Sequence, residues 1–223
     1  MIGSWLLSPE SDNLRILAES ELDFAVIDYE HGSGSLSLAA RSVSFLQAHR
    51  KQVILRVGEV RKLSFQQASD SAPDYIQVAG LDTIKDAQRC IELFEQLGFS
   101  PWTRSGRGKF AKPQVILQIE NMELLDWALS GDLKSGTVTN LFLGRYDLAR
   151  NAGHTSLITD EHYEAVDLFS KACVQNGFTA WTVCHNREDF LEIRTRGKFA
   201  GISHGSDNFF YSESLVELMK WER

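Results

Sequence analysis

The chain has 223 residues, 43% of them hydrophobic, and a formal net charge of −7. That is enough apolar material for one large core, and an ordinary size for a single (β/α)8 barrel domain over residues 1–223. The acidic balance gives no long-range attraction to nucleic acid or to an anionic membrane, and no apolar run approaches the roughly 20 residues that span a bilayer.

The opening residues, MIGSWLLSPESD, lack a basic start and a long apolar stretch, so no signal peptide is expected and the cytoplasm is the expected compartment. Strands are expected at 3–7, 24–28, 52–57, 75–80, 114–120, 140–144, 178–184 and 199–204, where Val, Ile, Leu and Phe cluster. Helical spacing fills the intervals at 12–19, 36–49, 63–71, 83–97, 121–130, 160–176, 187–196 and 209–221. Thr83 and Thr159 stand where helix N-caps belong, and Gly98 and Gly177 follow helices as C-terminal glycines do. Eight strands alternating with eight helices argue for a parallel sheet, since each parallel crossover needs a helix. A doubly wound open sheet would want a glycine-rich phosphate loop after the first strand, and LLSPESD is not one. Cys90, Cys173 and Cys184 are odd in number with no CxxC spacing, and are expected as reduced, buried thiols.

Barrel enzymes place their chemistry at the C-terminal ends of the strands. In chain order those ends offer Asp28, Glu30 and His31, then Arg56, then Gln118 and Glu120. Gly144, Arg145, Tyr146 and Asp147 follow, then His185, then His204, Ser206 and Asp207. So many charges are costly to desolvate unless they pair with one another or with a metal. Singly, each has a plain structural reading. Glu120 can cap the following helix, Asp147 can cap a turn, and Arg56 can make a structural ion pair. His154, His162, His185 and His204 read as structural histidines, and Trp181 reads as core. The basic stretch 100–113, SPWTRSGRGKFAKP, reads equally as a solvated loop or an anion-facing one.

Taken together, six segments resemble the motifs of one family: GSWLLSPES, DFAVIDYEHG, VILRVGE, VILQIEN, LFLGRYDLARNAGH and GISHGSD. They are similar, in order, to those of the HpcH/HpaI aldolase/citrate lyase family, in particular its class II, metal-dependent pyruvate aldolases of the 2-dehydro-3-deoxy-galactarate or 4-hydroxy-2-oxo-acid type. The resemblance implies a divalent cation (Mg²⁺ or Mn²⁺, with Co²⁺ also able to serve) held by Glu120 and Asp147. It implies that Arg56 faces the substrate carbonyl oxygen, that His31 is the acid/base, and that Asp70 orients His31. Gln118 would line the pocket, and the backbone at Tyr146 and Asp147 would bind the keto-acid carboxylate. Glu30 would orient the surroundings of the cation. The partners implied are a 2-oxo acid and an aldehyde, and a homo-oligomer, dimer-based or hexameric, packed through the apolar last helix.

Two departures from the family pattern stand out. Arg145 replaces a proline, adding a cation beside Asp147, and the 100–113 loop is shortened. Both leave room for an alternative carbon–carbon chemistry on oxaloacetate and an acyl thioester, with Arg145 and the basic 104–112 loop serving a more anionic substrate. A catalytically inactive barrel acting as a binding protein is the third reading. No lysine closes an expected strand, which argues against a Schiff-base aldolase.

Overall fold

The computed structural model describes residues 1–9, 12–98, 112–133, 136–153, 156 and 158–220. The basic 100–113 stretch therefore lies almost wholly outside the described residues. Eight parallel strands close into a barrel in sequence order. They are β1 (Ile2–Leu6), β2 (Phe24–Asp28), β3 (Gln52–Val57), β4 (Tyr75–Val78), β5 (Gln114–Ile119), β6 (Val138–Leu143), β7 (Thr179–Cys184) and β8 (Phe199–Ser206). The helices are α1 (Asp12–Glu19), α2 (Ala39–Ala48), α3 (Lys62–Asp70), α4 (Ile84–Gln96), α5 (Met122–Ser130), α6 (Arg145–Asn151), α7 (Asp160–Asn176), α8 (Arg187–Arg196) and α9 (Asp207–Met219).

Side-chain caps set several helix starts. Thr83 and Asp86 form a reciprocal capping box on α4, Asn121 accepts from the Leu124 N–H at α5, and Thr159 accepts from the His162 N–H at α7. Asn121, not Glu120, therefore caps α5, which leaves the Glu120 carboxylate for another purpose. Most element bounds lie within two residues of expectation, and three differences bear on the mouth or its surroundings. The 36–49 helix opens with a 3-10 turn at Leu36–Leu38, α9 begins two residues early on the Ser206 cap, and the short α6 was read as a turn.

The period-two alternation of strands divides the core in two. Phe24, Val26, Ile54, Ile116, Phe142, Trp181 and Val183 fill the barrel interior. Ala25, Ile27, Val53, Leu55, Ile76 and Val78 face outward against the helices. Continuing the inward set one step carries Asp28, Arg56, Gln118 and Glu120 toward the C-terminal mouth. Register assists, because Asp28 lies directly beside Arg56 across β2 and β3, and Arg56 beside Gln77 across β3 and β4. All three cysteines are buried, and burial pushes the thiols of Cys173 and Cys184 up to about 12. Among the described residues, no helix is long and apolar enough to cross a membrane.

Candidate active site

Asp28 organises the loop that follows β2. Its Oδ1 accepts from the backbone N–H groups of Glu30 at 3.0 Å and His31 at 3.2 Å, folding DYEH back over the strand end. The same oxygen accepts from Arg56 Nε at 2.9 Å, and Oδ2 accepts from Arg56 Nη2 at 2.6 Å. This two-pronged pairing fixes the guanidinium plane in a way an ammonium would not copy. Trp5 lies under it, 4.5 Å from ring centroid to guanidinium carbon. Burial works against the charge of Arg56, but the bond to Asp28 and the charges of Asp28, Glu30 and Glu120 outweigh it and raise its pKa.

Glu30 approaches Arg56 Nη1 at 2.9 Å through Oε2, yet that buried oxygen has no aligned hydrogen-bond donor. His31 Nε2 is 3.7 Å from the same oxygen. The His31 side chain is 65% exposed, so it reaches into the mouth rather than into the core.

Glu120 follows β5 and is buried. Its Oε2 accepts from the Gly80 N–H at 2.8 Å, and its Oε1 from Gln118 Nε2 at 2.5 Å. Gly80 holds a φ of +65°, a left-handed conformation that glycine adopts without strain. Gly144 is needed for space, because a Cβ there would stand 2.9 Å from Glu120 Cγ. Burial, with the nearby charges of Glu30 and Asp147, pushes the Glu120 carboxyl up to about 7, against the Gly80 N–H and Arg56.

Asp147 sits in the first turn of α6. It lines a cavity of about 480 Å³ at the mouth, together with His31, Arg56, Gln118 and Tyr146. Trp5, Phe142 and Val183 supply its apolar lining. His185, which reads from sequence as structural, also lines this cavity. Its Nδ1 shares a 3.3 Å hydrogen bond with the Tyr146 hydroxyl. Burial raises the Tyr146 pKa, so the phenol remains a donor.

Two expectations are corrected. Asp70 ends α3 and is exposed, five residues before β4 begins. It stands at the N-terminal rim, about 16 Å of strand away from the rim that carries His31. Within one chain it does not orient that histidine, and among the described residues the carboxylate beside the ring is Glu30, 3.7 Å away. Arg145 is fully buried, so it does not face a substrate. It donates to Asp189 Oδ2 at 2.7 Å, to the Val183 carbonyl at 3.1 Å and to His162 Nε2 at 3.0 Å. Asp189 in turn accepts from the Tyr163 hydroxyl and the His185 N–H. The arginine is a structural brace behind the site.

The sequence alone points to no site role for Asp28 or Gly80, and it reads His185 as structural. For Asp28 a signal existed: continuing the β2 alternation puts it on the inward face beside Arg56. The other two depend on how loops from different strands meet.

The residues present suit a divalent cation. Three carboxylates, Asp28, Glu30 and Glu120, face one guanidinium, and Asp147 shares the cavity and acts on Glu120. One buried carboxylate oxygen lacks a donor, and another carboxyl is held far above its usual range. Among the described residues no group of three or more His, Cys, Asp or Glu is gathered that would hold an ion. Glu120 and Asp147 would leave most positions of a hard cation to water and substrate, as a catalytic site requires.

The raised Glu120 pKa has a consequence for stability. A carboxyl raised from 4.5 to about 7 on folding contributes stability that is present below pH 4.5 and lost as pH climbs through 7. Glu120→Gln has no such loss. In metal-free protein its stability relative to wild type should therefore grow by about 3 kcal/mol between pH 4 and pH 8. Urea denaturation at both pH values checks this, and saturating divalent cation should remove the trend.

A parallel barrel with acid, base and guanidinium groups gathered at its C-terminal mouth is the arrangement of a barrel enzyme. The family model for HpcH/HpaI aldolase/citrate lyase matches residues 1–213, and the chain belongs to that family. It is a carbon–carbon lyase of a family that generally depends on a divalent metal. The fold is similar to that of an HpcH/HpaI aldolase/citrate lyase family protein from Burkholderia cenocepacia J2315, with 20% identity, TM-score 0.81, and coverage of 100% of this chain and 94% of that one. It is also similar to an HpcH/HpaI aldolase from Desulfitobacterium hafniense DCB-2, with 17% identity, TM-score 0.80, and coverage of 98% and 91%. A third likeness is to the citrate synthase SbnG, with 18% identity, TM-score 0.80, and coverage of 99% and 92%. A sequence search of curated proteins gave no match.

Proposed function

We propose that this site catalyses reversible aldol cleavage of a 4-hydroxy-2-oxo acid to pyruvate, or a related 2-oxo acid, and an aldehyde. The observation that carries the reading is the convergence of Arg56, His31, Gln118 and Asp147 on one cavity, with the Glu120 carboxylate bonded to Gln118. A cation held by Glu120 and Asp147, with Mg²⁺, Mn²⁺ or Co²⁺ able to serve, would supply Lewis acidity toward the keto group.

The chain's own residues account for the remaining demands. His31 takes the proton from the C4 hydroxyl, the C3–C4 bond breaks, and the aldehyde leaves. The bonding pair moves into the C2–C3 bond while the carbonyl pair settles on the C2 oxygen. Arg56 stabilises that oxygen. Of its five N–H donors, two are bonded to Asp28, and Nη1 lies 2.9 Å from Glu30 without an aligned bond, so three remain. First-turn amides of α6, at Tyr146 and Asp147, lack intrahelical partners and suit the keto-acid carboxylate. His31 then returns its proton to C3, which gives the methyl group of pyruvate. Tyr146 and His185 give the cavity a polar edge for the aldehyde.

Burial of Arg145 removes one of the two basic features that favour the alternative of an acyl thioester and oxaloacetate, because that cation is committed to Asp189; the other, the 104–112 loop, lies almost wholly outside the described residues. A homo-oligomer is proposed from α9, which buries none of its residues and leaves Phe210, Tyr211, Leu215 and Val216 exposed.

The reading is tested by solvent deuterium exchange into the methyl group of pyruvate. Exchange should appear with Mg²⁺, Mn²⁺ or Co²⁺ and vanish on chelation. Its absence with all three would reject the reading.

A further inference from the structure

We propose that Gln77 is a positioning residue for the Glu120 carboxylate, acting through Gln118. This rests on the reading of Glu120 as a ligand of the cation.

Gln77 is on the inward face of β4, beside Arg56 on one side and Ile116 on the other. It is fully buried. The interior around it is built from Ile54, Ile116, Phe142 and Trp181. A leucine there would pack without any polar group to satisfy, whereas a buried primary amide is costly unless it is bonded. The Gln77 carbonyl oxygen indeed has no partner, so the residue is not there for stability.

Its amide nitrogen donates to Gln118 Oε1. Gln118 Nε2 then donates to Glu120 Oε1 at 2.5 Å, and the Gly80 N–H holds Oε2 at 2.8 Å. A primary amide has one accepting end and one donating end. Once Gln77 occupies the accepting end of Gln118, only the donating end is left for Glu120. The carboxylate is then held in one orientation by one donor on each oxygen, and the remaining lone pairs are available to a cation. Outer partners of this kind orient metal ligands, and their loss typically weakens metal binding 10–100-fold. From sequence, Gln77 looks like an ordinary polar interruption of the YIQVAG run. Only barrel closure brings it to Gln118, 41 residues away.

The test is titration of metal-free protein with Mn²⁺, followed by electron paramagnetic resonance, on wild type, Gln77→Met, Gln118→Met and the double variant. Methionine keeps the length of the side chain and removes its hydrogen bonds. Each single variant should bind Mn²⁺ about 10–100-fold more weakly. The double variant should be no weaker than the weaker single, because the two residues act in series. Wild-type affinity in Gln77→Met, even with a changed melting temperature, would overturn the inference. So would losses that add in the double variant. If Gln77→Met does not fold, Gln77→Leu takes its place with the same expectation and the same overturning result. Wild-type protein that binds no Mn²⁺ would reject the cation reading itself, and this inference with it.

Discussion

Replacing Arg56 with lysine should lower kcat for aldol cleavage by roughly 10²–10³, with a much smaller change in KM for the 2-oxo acid. The guanidinium spends two of its donors on the two oxygens of Asp28 and approaches Glu30 with a third. Its plane is further held over Trp5. Lysine offers three donors around one point and cannot span both Asp28 oxygens while facing the cavity. The charge would survive, but its placement relative to the developing oxyanion would not. The lost interaction is made mainly once negative charge has built on oxygen, so the loss belongs in kcat. Asp28→Asn should follow the same direction with a smaller effect, since it loosens the arginine without removing it. Steady-state kinetics at saturating metal check both, and a lysine variant within tenfold of wild type would contradict the role given to Arg56.

Asp189→Ala should destabilise the barrel by about 3–5 kcal/mol. The carboxylate pairs with Arg145 inside the protein, and both side chains are 0% exposed. Removing it strands a buried guanidinium, and also leaves the Tyr163 hydroxyl and the His185 N–H without their acceptor. Arg145 holds the Asp189 carboxyl below its ordinary range, against the effect of burial, which is the signature of a pair that favours its charged form. Joint replacement by Arg145→Met and Asp189→Leu should cost much less than Asp189→Ala alone, because no orphaned charge remains. Urea denaturation at neutral pH measures both variants against wild type. A loss under 1 kcal/mol for Asp189→Ala would show that the pair is not what braces this side of the mouth.

The strands β2 and β3 and the helices α1, α7 and α8 were legible to the residue, because apolar runs and periodic faces there end at caps or charges. The C-terminal mouth was legible as well, since strand-end charges have few other uses in a barrel. The short helix α6 was not. Seven residues reading RYDLARN carry no resolvable apolar face, and its first residue, Arg145, anchors it inward through Asp189. Arg145 itself was misread, because its partner Asp189 is 44 residues away on α8. Asp70 was misplaced for a related reason. The helix that carries it runs back down the barrel, so a residue 14 positions after Arg56 returns to the opposite rim. Gln77 and His185 were missed because their meaning lies in neighbours supplied by other strands. Local pattern reaches as far as the element and its facing, whereas the pairing of buried polar groups is decided by closure.

On the proposed reading, Glu120 and Asp147 share one divalent ion at the cavity that Arg56 and His31 line. Anomalous X-ray scattering from crystals grown with Mn²⁺ and pyruvate tests it most directly. A single peak about 2.0–2.3 Å from a carboxylate oxygen of each residue is expected. A peak touching only one of them, or no peak at the mouth, would mean that the two carboxylates do not share an ion.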